Sequence, residues 1–177
     1  MKRGSGIVAM LVCLAGNAFA GEANELTARQ SIRIDAPPAV VWAIAGDFNG
    51  QPRWLPMTEG SRIVLGKNNQ VGAIRMITRR DGTRVTERLV DYDSAAMRFV
   101  YTYVDGAIRA SEYFPMMTVK DGGNGTSIVE WSAHFKRLSY WVDPPPEGQD
   151  DATLTEFYNR IYKIGLESLK RTVEGGQ

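Results

Sequence analysis

Two charged residues of opposite sign stand where a strand pattern calls for apolar side chains, and they are the best candidates for chemistry in this sequence. Arg75 lies in the run from Ala73 to Arg79, and Glu87 lies in the run from Arg84 to Tyr92. The dipeptide Asp81-Gly82 between the two runs indicates a hairpin turn. A buried carboxylate paired with a guanidinium can anchor a polar atom of a ligand, or can act on it as an acid or base.

The register of this hairpin decides whether the two charges meet, because a slip of one residue turns every side chain to the opposite face. A two-residue loop, Asp81-Gly82, sets Glu87 opposite Met76 and sends Arg75 outward. A three-residue loop from Arg80 to Gly82, with the glycine left-handed in a bulge, sets Arg75 opposite Glu87. We favour the three-residue loop, since it explains both charges as one pair. The pair is then either a polar anchor in an apolar cavity or an ion pair near a sheet edge.

A strand face later in the chain carries Glu130, Ser132 and His134, which have the side-chain types of a hydrolase triad. Neighbours on one strand face supply neither an oxyanion hole nor a strained nucleophile. We therefore expect an outward-facing polar strip at these positions.

Metal binding finds little support in the sequence. Glu147, Asp150 and Asp151 lack the regular spacing of a calcium loop, so we expect a solvated loop and a helix cap there. One histidine and one cysteine, Cys13, do not supply the ligands of a zinc site. We therefore predict no metal and no cofactor.

Aromatic residues form the second group of candidates, because strand and helix periods turn many of them inward. Phe99, Tyr101 and Tyr103 alternate along one strand. Aromatics at such periods are usually core, and the other outcome is a hydrophobic pocket with hydroxyl groups in its wall. The residues that we predict to line a ligand cavity are Arg75, Glu87, Tyr101, Tyr113, Trp131, Phe157, Tyr158, Ile161 and Tyr162.

The first twenty residues have the layout of a secretory signal peptide: Lys2-Arg3, an apolar run from Ile7 to Gly16, and Ala18-Phe19-Ala20. The apolar run is too short to span a bilayer, and no later run is long enough to do so. We expect cleavage near Ala20, a periplasmic or secreted location, and a single mature domain over residues 21–177. With 21 basic and 20 acidic residues, the chain shows no sign of nucleic-acid binding.

The elements that position the candidates follow from periodicity and turn signals. A strand over Ala28 to Asp35 precedes a helix that begins at Pro37-Pro38, and a second short helical piece fits between Gly46 and Pro56. Six strands follow, separated by turn signals. Their predicted spans are Ser61 to Leu65, Ala73 to Arg79, Arg84 to Tyr92, Met97 to Val104, Ala110 to Lys120 and Thr126 to Arg137.

A long amphipathic helix closes the chain after Asp143-Pro144-Pro145-Pro146, with apolar residues from Leu154 to Val173 at three- and four-residue spacing. The predicted fold class is therefore α+β, a curved antiparallel sheet of about seven strands whose concave face is covered by this helix. A strongly curved sheet and one helix leave volume for a ligand cavity.

These elements and several short motifs resemble one known family. The motifs are Val41-Trp42, Gly72-x-x-Arg75, Asp81-Gly82, Glu87-Arg88-Leu89-x-x-Asp91, Tyr113 and Trp131. The chain resembles the START-related helix-grip superfamily over about residues 28 to 173, in the branch of polyketide cyclases/dehydrases and lipid-transport proteins. The resemblance implies a helix-grip fold in which Glu87 points into the cavity and meets polar atoms of a ligand or water.

Function is only broadly implied, because this superfamily hosts cyclases, lipid carriers and hormone receptors. Our leading hypothesis is a non-catalytic periplasmic protein that binds a small apolar or lipid-like molecule. A narrower similarity, to exported accessory proteins of methanol oxidation, implies an exported dehydrogenase or cytochrome as partner. The alternatives are a cyclase or dehydratase, with Glu87 as acid or base and Arg75 stabilising an enolate, and an interaction protein with a filled core.

Overall fold

The computed structural model describes residues 25–138 and 140–175, so the predicted signal peptide and its cleavage site near Ala20 lie outside the described residues. In chain order the elements are strand β1 (Leu26–Ile34), helix α1 (Pro38–Ala45), a 3-10 turn (Gln51–Arg53), strands β2 (Thr58–Leu65), β3 (Ile74–Arg79), β4 (Arg84–Asp93), β5 (Arg98–Gly106), β6 (Ala110–Gly123), β7 (Thr126–Arg137) and helix α2 (Asp151–Glu174).

The strands form one antiparallel sheet in the order β1-β7-β6-β5-β4-β3-β2. Six strands form a meander, and the first strand returns to pair with the last, from Leu26 opposite Phe135 to Ile34 opposite Ser127. The predicted α+β helix-grip fold with seven strands is confirmed. The second helical piece is a single 3-10 turn, because glycine and proline between Gly46 and Pro56 prevent a regular helix.

Helix α2 covers the concave face of the sheet with its apolar side and so encloses the core. Its buried residues are Leu154, Tyr158, Tyr162, Gly165, Leu166, Leu169 and Val173.

Helix α2 begins with a side-chain cap: the Asp150 side chain accepts a hydrogen bond of 2.9 Å from the Thr153 amide. Hydrogen bonds from Thr153 lower the pKa of the Asp150 carboxyl. The predicted helix cap is confirmed. Among the described residues, no group of three or more acidic, histidine or cysteine side chains could hold a metal ion.

A β-bulge in β6 turns a predicted site residue inward. Simple alternation would place Ala110 and Tyr113 on opposite faces, yet both are buried. The pairing shifts by one residue between Ser111 and Phe114, and Glu112 adopts a φ of 47° in the bulge. The extra residue therefore directs Tyr113 into the core.

The polar strip on β7 faces outward, as predicted. His134 is exposed, and Glu130 and Ser132 are half-buried, whereas the residues between them are buried. Glu130 forms an ion pair with Arg29 on the neighbouring strand.

Over the part of the chain that the structure describes, no helix is long and apolar enough to cross a membrane.

Helix α2 packs closely on the sheet and on Leu55 at Gly165. A Cβ atom placed there would lie 2.8 Å from a ring carbon of Trp131 and 2.9 Å from a methyl carbon of Leu55. We expect Gly165→Val to lower the free energy of unfolding by about 1–3 kcal/mol in a chemical denaturation experiment, because the added methyl groups overpack this contact.

Lys163→Val is the matched control, since it places the same side chain on the exposed side of α2. Its expected effect is below about 0.7 kcal/mol, the size of a helix-propensity difference. Equal losses for the two variants would contradict the close packing at Gly165.

Candidate functional site

The β3–β4 hairpin has the register that pairs the two candidate charges. The Arg79 amide donates to the Thr83 carbonyl at 2.9 Å, and Gly82 has a φ of 82°, so the loop contains three residues. Arg75 consequently stands directly opposite Glu87. The three-residue loop that we favoured from the sequence is confirmed.

The Arg75–Glu87 pair is buried in the interior of the protein, with 2 % and 5 % of the two residues exposed. The Arg75 Nε and Nη2 atoms lie 2.8 Å and 2.6 Å from Glu87 Oε2. The third nitrogen, Nη1, donates to the Phe48 carbonyl oxygen, and the guanidinium carbon lies 4.1 Å from the centre of the Phe48 ring. All three nitrogens of the Arg75 guanidinium therefore contact an acceptor oxygen. The other carboxylate oxygen, Glu87 Oε1, takes no part in these contacts.

A cavity of about 50 Å³ lies beside Glu87, between the sheet and the first turns of α2. Its wall is largely aromatic and aliphatic, with a few polar groups. The lining residues are Gln51, Leu55, Met57, Thr58, Ile77, Arg79, Val85, Glu87, Tyr101, Tyr103, Tyr113, Trp131, Phe157, Tyr158 and Ile161.

Most of the residues that we predicted as ligand-binding lie in this wall; Arg75 and Tyr162 do not. Arg75 instead borders a second void of about 10 Å³ that it shares with Trp54, Tyr101 and Trp131. The Tyr162 ring stacks on Trp131 with centroids 4.5 Å apart. Its hydroxyl lies 2.7 Å from that of Tyr113. Both residues therefore support the wall from outside the cavity.

Several lining residues escaped the sequence analysis. Gln51, Leu55 and Met57 come from a stretch with no period to follow, and Thr58 begins β2, ahead of the span predicted for that strand. The Thr58 hydroxyl donates to the Gln51 side chain at 3.3 Å. Ile77, Arg79 and Val85 lie on β3 and β4, and the inward alternation around Arg75 and Glu87 was the signal that could have found them. Tyr103 was among the alternating aromatic residues of β5, but it was not among the predicted lining residues.

The tyrosines around the cavity are neutral hydrogen-bonding groups at neutral pH. Burial raises the pKa of Tyr158 to about 12. Burial also raises the pKa of Tyr101, Tyr103 and Tyr113 well above the usual value for tyrosine. Because deprotonation is so unfavourable here, these hydroxyls can donate to or accept from a ligand but do not serve as bases.

Two buried polar groups in the cavity wall lack a hydrogen-bond partner among residues 25–138 and 140–175: the Trp131 indole Nε1 and the Tyr158 hydroxyl. Tyr101 lies near the first and Tyr103 near the second, but neither contact reaches hydrogen-bonding geometry. A buried polar group without a partner destabilises a protein by about 1–3 kcal/mol. Both atoms are inaccessible to water, so they lie within the packed wall and do not face the cavity.

The cavity opens between half-buried side chains at the end of the sheet where α2 begins. Met57, Phe157 and Ile161 stand at this mouth. The turn between β5 and β6 lies beside it, because the Arg109 guanidinium carbon is 4.7 Å from the Phe157 ring centre. Arg79 donates to the Ala107 carbonyl of the same turn at 3.2 Å. Movement of this turn or of Phe157 would therefore widen the entrance.

A curved antiparallel sheet that grips a long C-terminal helix defines the helix-grip fold. The chain belongs to the polyketide cyclase/dehydrase and lipid transport family, which it matches over residues 25–174. The branch of the START-related superfamily predicted from the motifs is thus confirmed.

Individual relatives agree with this placement. The chain is 28% identical to the abscisic acid receptor PYL2 of Arabidopsis thaliana over 140 residues, which is 77% of this chain and 72% of the receptor. Its fold is similar to that of the protein XoxI from Bacillus cereus, with a TM-score of 0.73, 26% identity and coverage of 84% and 96% of the two chains. A protein from Bacillus thuringiensis is similar with a TM-score of 0.72, 26% identity and coverage of 84% and 98%.

The ion pair provides a direct test of the site. We expect Arg75→Met to lower the free energy of unfolding by about 3–5 kcal/mol, because it leaves the Glu87 carboxylate buried without its partner. The double variant Arg75→Met/Glu87→Leu removes both charges, and we expect it to recover most of that loss. Chemical denaturation of the wild type, both single variants and the double variant measures the coupling. Additive losses would contradict a buried, mutually dependent pair.

Proposed function

We propose that this protein is an exported, non-catalytic carrier or sensor that binds a small molecule in the cavity beside Glu87. The observation that carries the proposal is the cavity itself: a largely aromatic wall that contains one carboxylate, Glu87. A wall of this composition, apolar with a few placed polar groups, is typical of ligand sites. Membership of a family described by cyclases, dehydrases and lipid transport is consistent with it.

The volume of the cavity limits the ligand. Sites for drug-sized ligands measure about 300–1,000 Å³, and a cavity of about 150 Å³ holds benzene. At about 50 Å³, this cavity fits a few non-hydrogen atoms. In the present arrangement the ligand is therefore a small molecule, or one end of a larger one whose remainder passes through the mouth at Phe157 and Ile161. A lipid-like ligand requires the mouth to open.

The geometry favours binding over the cyclase or dehydratase alternative. In that mechanism Arg75 stabilises an enolate formed next to Glu87. Arg75, however, does not line the cavity, and its nitrogens are held by Glu87 and the Phe48 carbonyl. An enolate in the cavity would meet the Glu87 carboxylate without reaching the guanidinium. Glu87 thus serves better as an acceptor for a ligand donor than as the base of an acid–base pair.

The test uses protein purified from the exported fraction of its native host. We expect organic solvent to extract a small molecule in a constant ratio to the protein, and mass spectrometry of the intact chain to give the mass of residues 21–177. Glu87→Gln should lower the retained amount several-fold, because an amide is a weaker acceptor than a carboxylate. A catalyst would instead retain the compound and lose turnover. Protein that remains in the cytoplasm with residues 1–20 still attached would contradict export.

A second role, as accessory factor to an exported dehydrogenase or cytochrome, is favoured by a separate observation. The segment after β7 exposes several large apolar side chains, and Trp141 is 71% exposed. The others are Leu138, Tyr140 and Val142. Exposed apolar clusters of this kind often mark protein contacts. In this role the segment, rather than the cavity, would bind the partner.

Size-exclusion chromatography with the purified exported dehydrogenase and cytochrome of the same host tests this role. We expect the wild type to co-elute with one of them, and Trp141→Ala to weaken the complex at least tenfold, as for an aromatic contact at the centre of an interface. Val40→Ala is the control, since it shortens an exposed apolar residue on α1. Equal binding by Trp141→Ala and the wild type would exclude this segment as the contact.

A further inference from the structure

Two arginine side chains stand at the mouth of the cavity without an anionic partner. Arg79 is half-buried in the cavity lining and donates to the Ala107 carbonyl at 3.2 Å. Arg109 is exposed, and its guanidinium carbon lies 4.7 Å from the centre of the Phe157 ring. Neither arginine forms an ion pair with any residue that the structure describes. Both guanidinium groups are therefore available to an anion at the mouth.

The carboxylates at the start of α2, on the other side of the mouth, are paired with other cations. Asp151 lies 2.9 Å from the Arg137 guanidinium. Glu156 lies 2.9 Å from Arg160, one turn further along the helix. The helix therefore leaves the positive charge at the mouth without a counter-ion from its own first turns.

The acidic residues of the two turns beside the mouth are bound to their own backbone. Asp81 accepts hydrogen bonds from the Thr83 amide and hydroxyl at 2.9 Å and 2.6 Å. These bonds lower the pKa of the Asp81 carboxyl, and the charge of Arg79 contributes less to that change. Asp105 accepts from the Gly106 amide at 2.8 Å. The turns thus hold these carboxylates in place without using them to pair the arginines.

The two arginines act on one part of the cavity wall. Burial raises the pKa of Tyr158 to about 12, and the positive charges of Arg79 and Arg109 both act against this rise. Electrostatic interactions weaken with distance, so both guanidinium groups lie near the Tyr158 side chain. The two cations therefore flank a single opening, between apolar side chains that lead inward.

We infer that the cavity binds an anionic amphiphile, whose apolar end enters the cavity and whose carboxylate stays at the mouth beside Arg79 and Arg109. Guanidinium groups bind carboxylates through paired N–H donors. A carboxylate at the mouth keeps part of its hydration, whereas one inside would face Glu87, whose cation Arg75 is already engaged. The inference deepens the proposed ligand-binding role and rests on it.

Three probes with the same alkyl chain separate the charge classes: hexanoate is an anion, 1-hexanol is neutral and hexylammonium is a cation. NMR titrations followed at the methyl groups of Met57 and Ile161 report on binding at the mouth. We expect hexanoate to bind about three- to tenfold more tightly than 1-hexanol, the effect of two partly exposed ion pairs, and hexylammonium to bind most weakly. Added salt should reduce the difference, because it screens exposed charges.

Arg109→Gln removes one of the two charges. We expect it to lower the ratio of hexanoate affinity to 1-hexanol affinity about two- to fivefold, and Arg109→Lys to retain most of the wild-type ratio. Arg88→Gln is the matched control, because Arg88 is an exposed arginine on β4 that pairs with Ile74 at the far end of the hairpin. We expect the wild-type ratio for this control. The comparison of the three probes on the wild-type chain does not depend on any variant.

The outcomes distinguish this inference from the proposed function. Equal affinities for hexanoate and 1-hexanol at low salt would overturn the inference and leave the ligand-binding role in place, as would tightest binding by hexylammonium. Binding to phosphatidylglycerol vesicles without binding of free hexanoate would assign the arginines to a membrane contact and overturn the inference. An unchanged affinity ratio in Arg109→Gln would overturn the assignment of the carboxylate to this arginine. If no probe bound, the inference and the proposed ligand-binding role would fail together.

Discussion

The side chain of Arg75 connects three parts of the protein that are distant in sequence. Its ion pair with Glu87 joins β3 to β4, and its third nitrogen binds the carbonyl of Phe48 in the stretch that follows α1. That stretch continues into Gln51, Leu55, Met57 and Thr58, which supply one wall of the cavity. A buried guanidinium is stable only when its donors are satisfied, so hairpin register, loop position and cavity wall depend on one another.

Helix α2 determines how much space remains beside this ion pair. It approaches the sheet closely at Gly165, where a side chain would collide with Trp131 and Leu55. Stacked rings then fill most of the concave face, including Tyr162 on Trp131 and Tyr158 on Tyr113. The small size of the cavity that remains explains why a lipid-like ligand requires the mouth to open.

Much of the architecture was predictable because its signals are local. Turn residues around Asp81-Gly82 indicated the hairpin but left two registers open, and the misplaced charges of Arg75 and Glu87 decided between them. Alternation and helical spacing gave the strands, the closing helix and most of the inward aromatics. The bulge at Glu112 was not predictable, since a positive φ at a glutamate has no marker in the sequence. Nor were the wall residues from Gln51 to Thr58, which no periodic pattern turns inward.

The sequence by itself determined the fold class, the family and the hairpin that brings a guanidinium to a carboxylate, because periodicity and turn chemistry act between residues close along the chain. Only the tertiary structure decided that Arg75 stands behind the cavity wall, and that Trp131 and Tyr158 remain unpartnered. It alone also decided that the enclosed space is about 50 Å³. These features depend on how side chains from the sheet, the loop and α2 fill one shared volume, and no single segment carries that information.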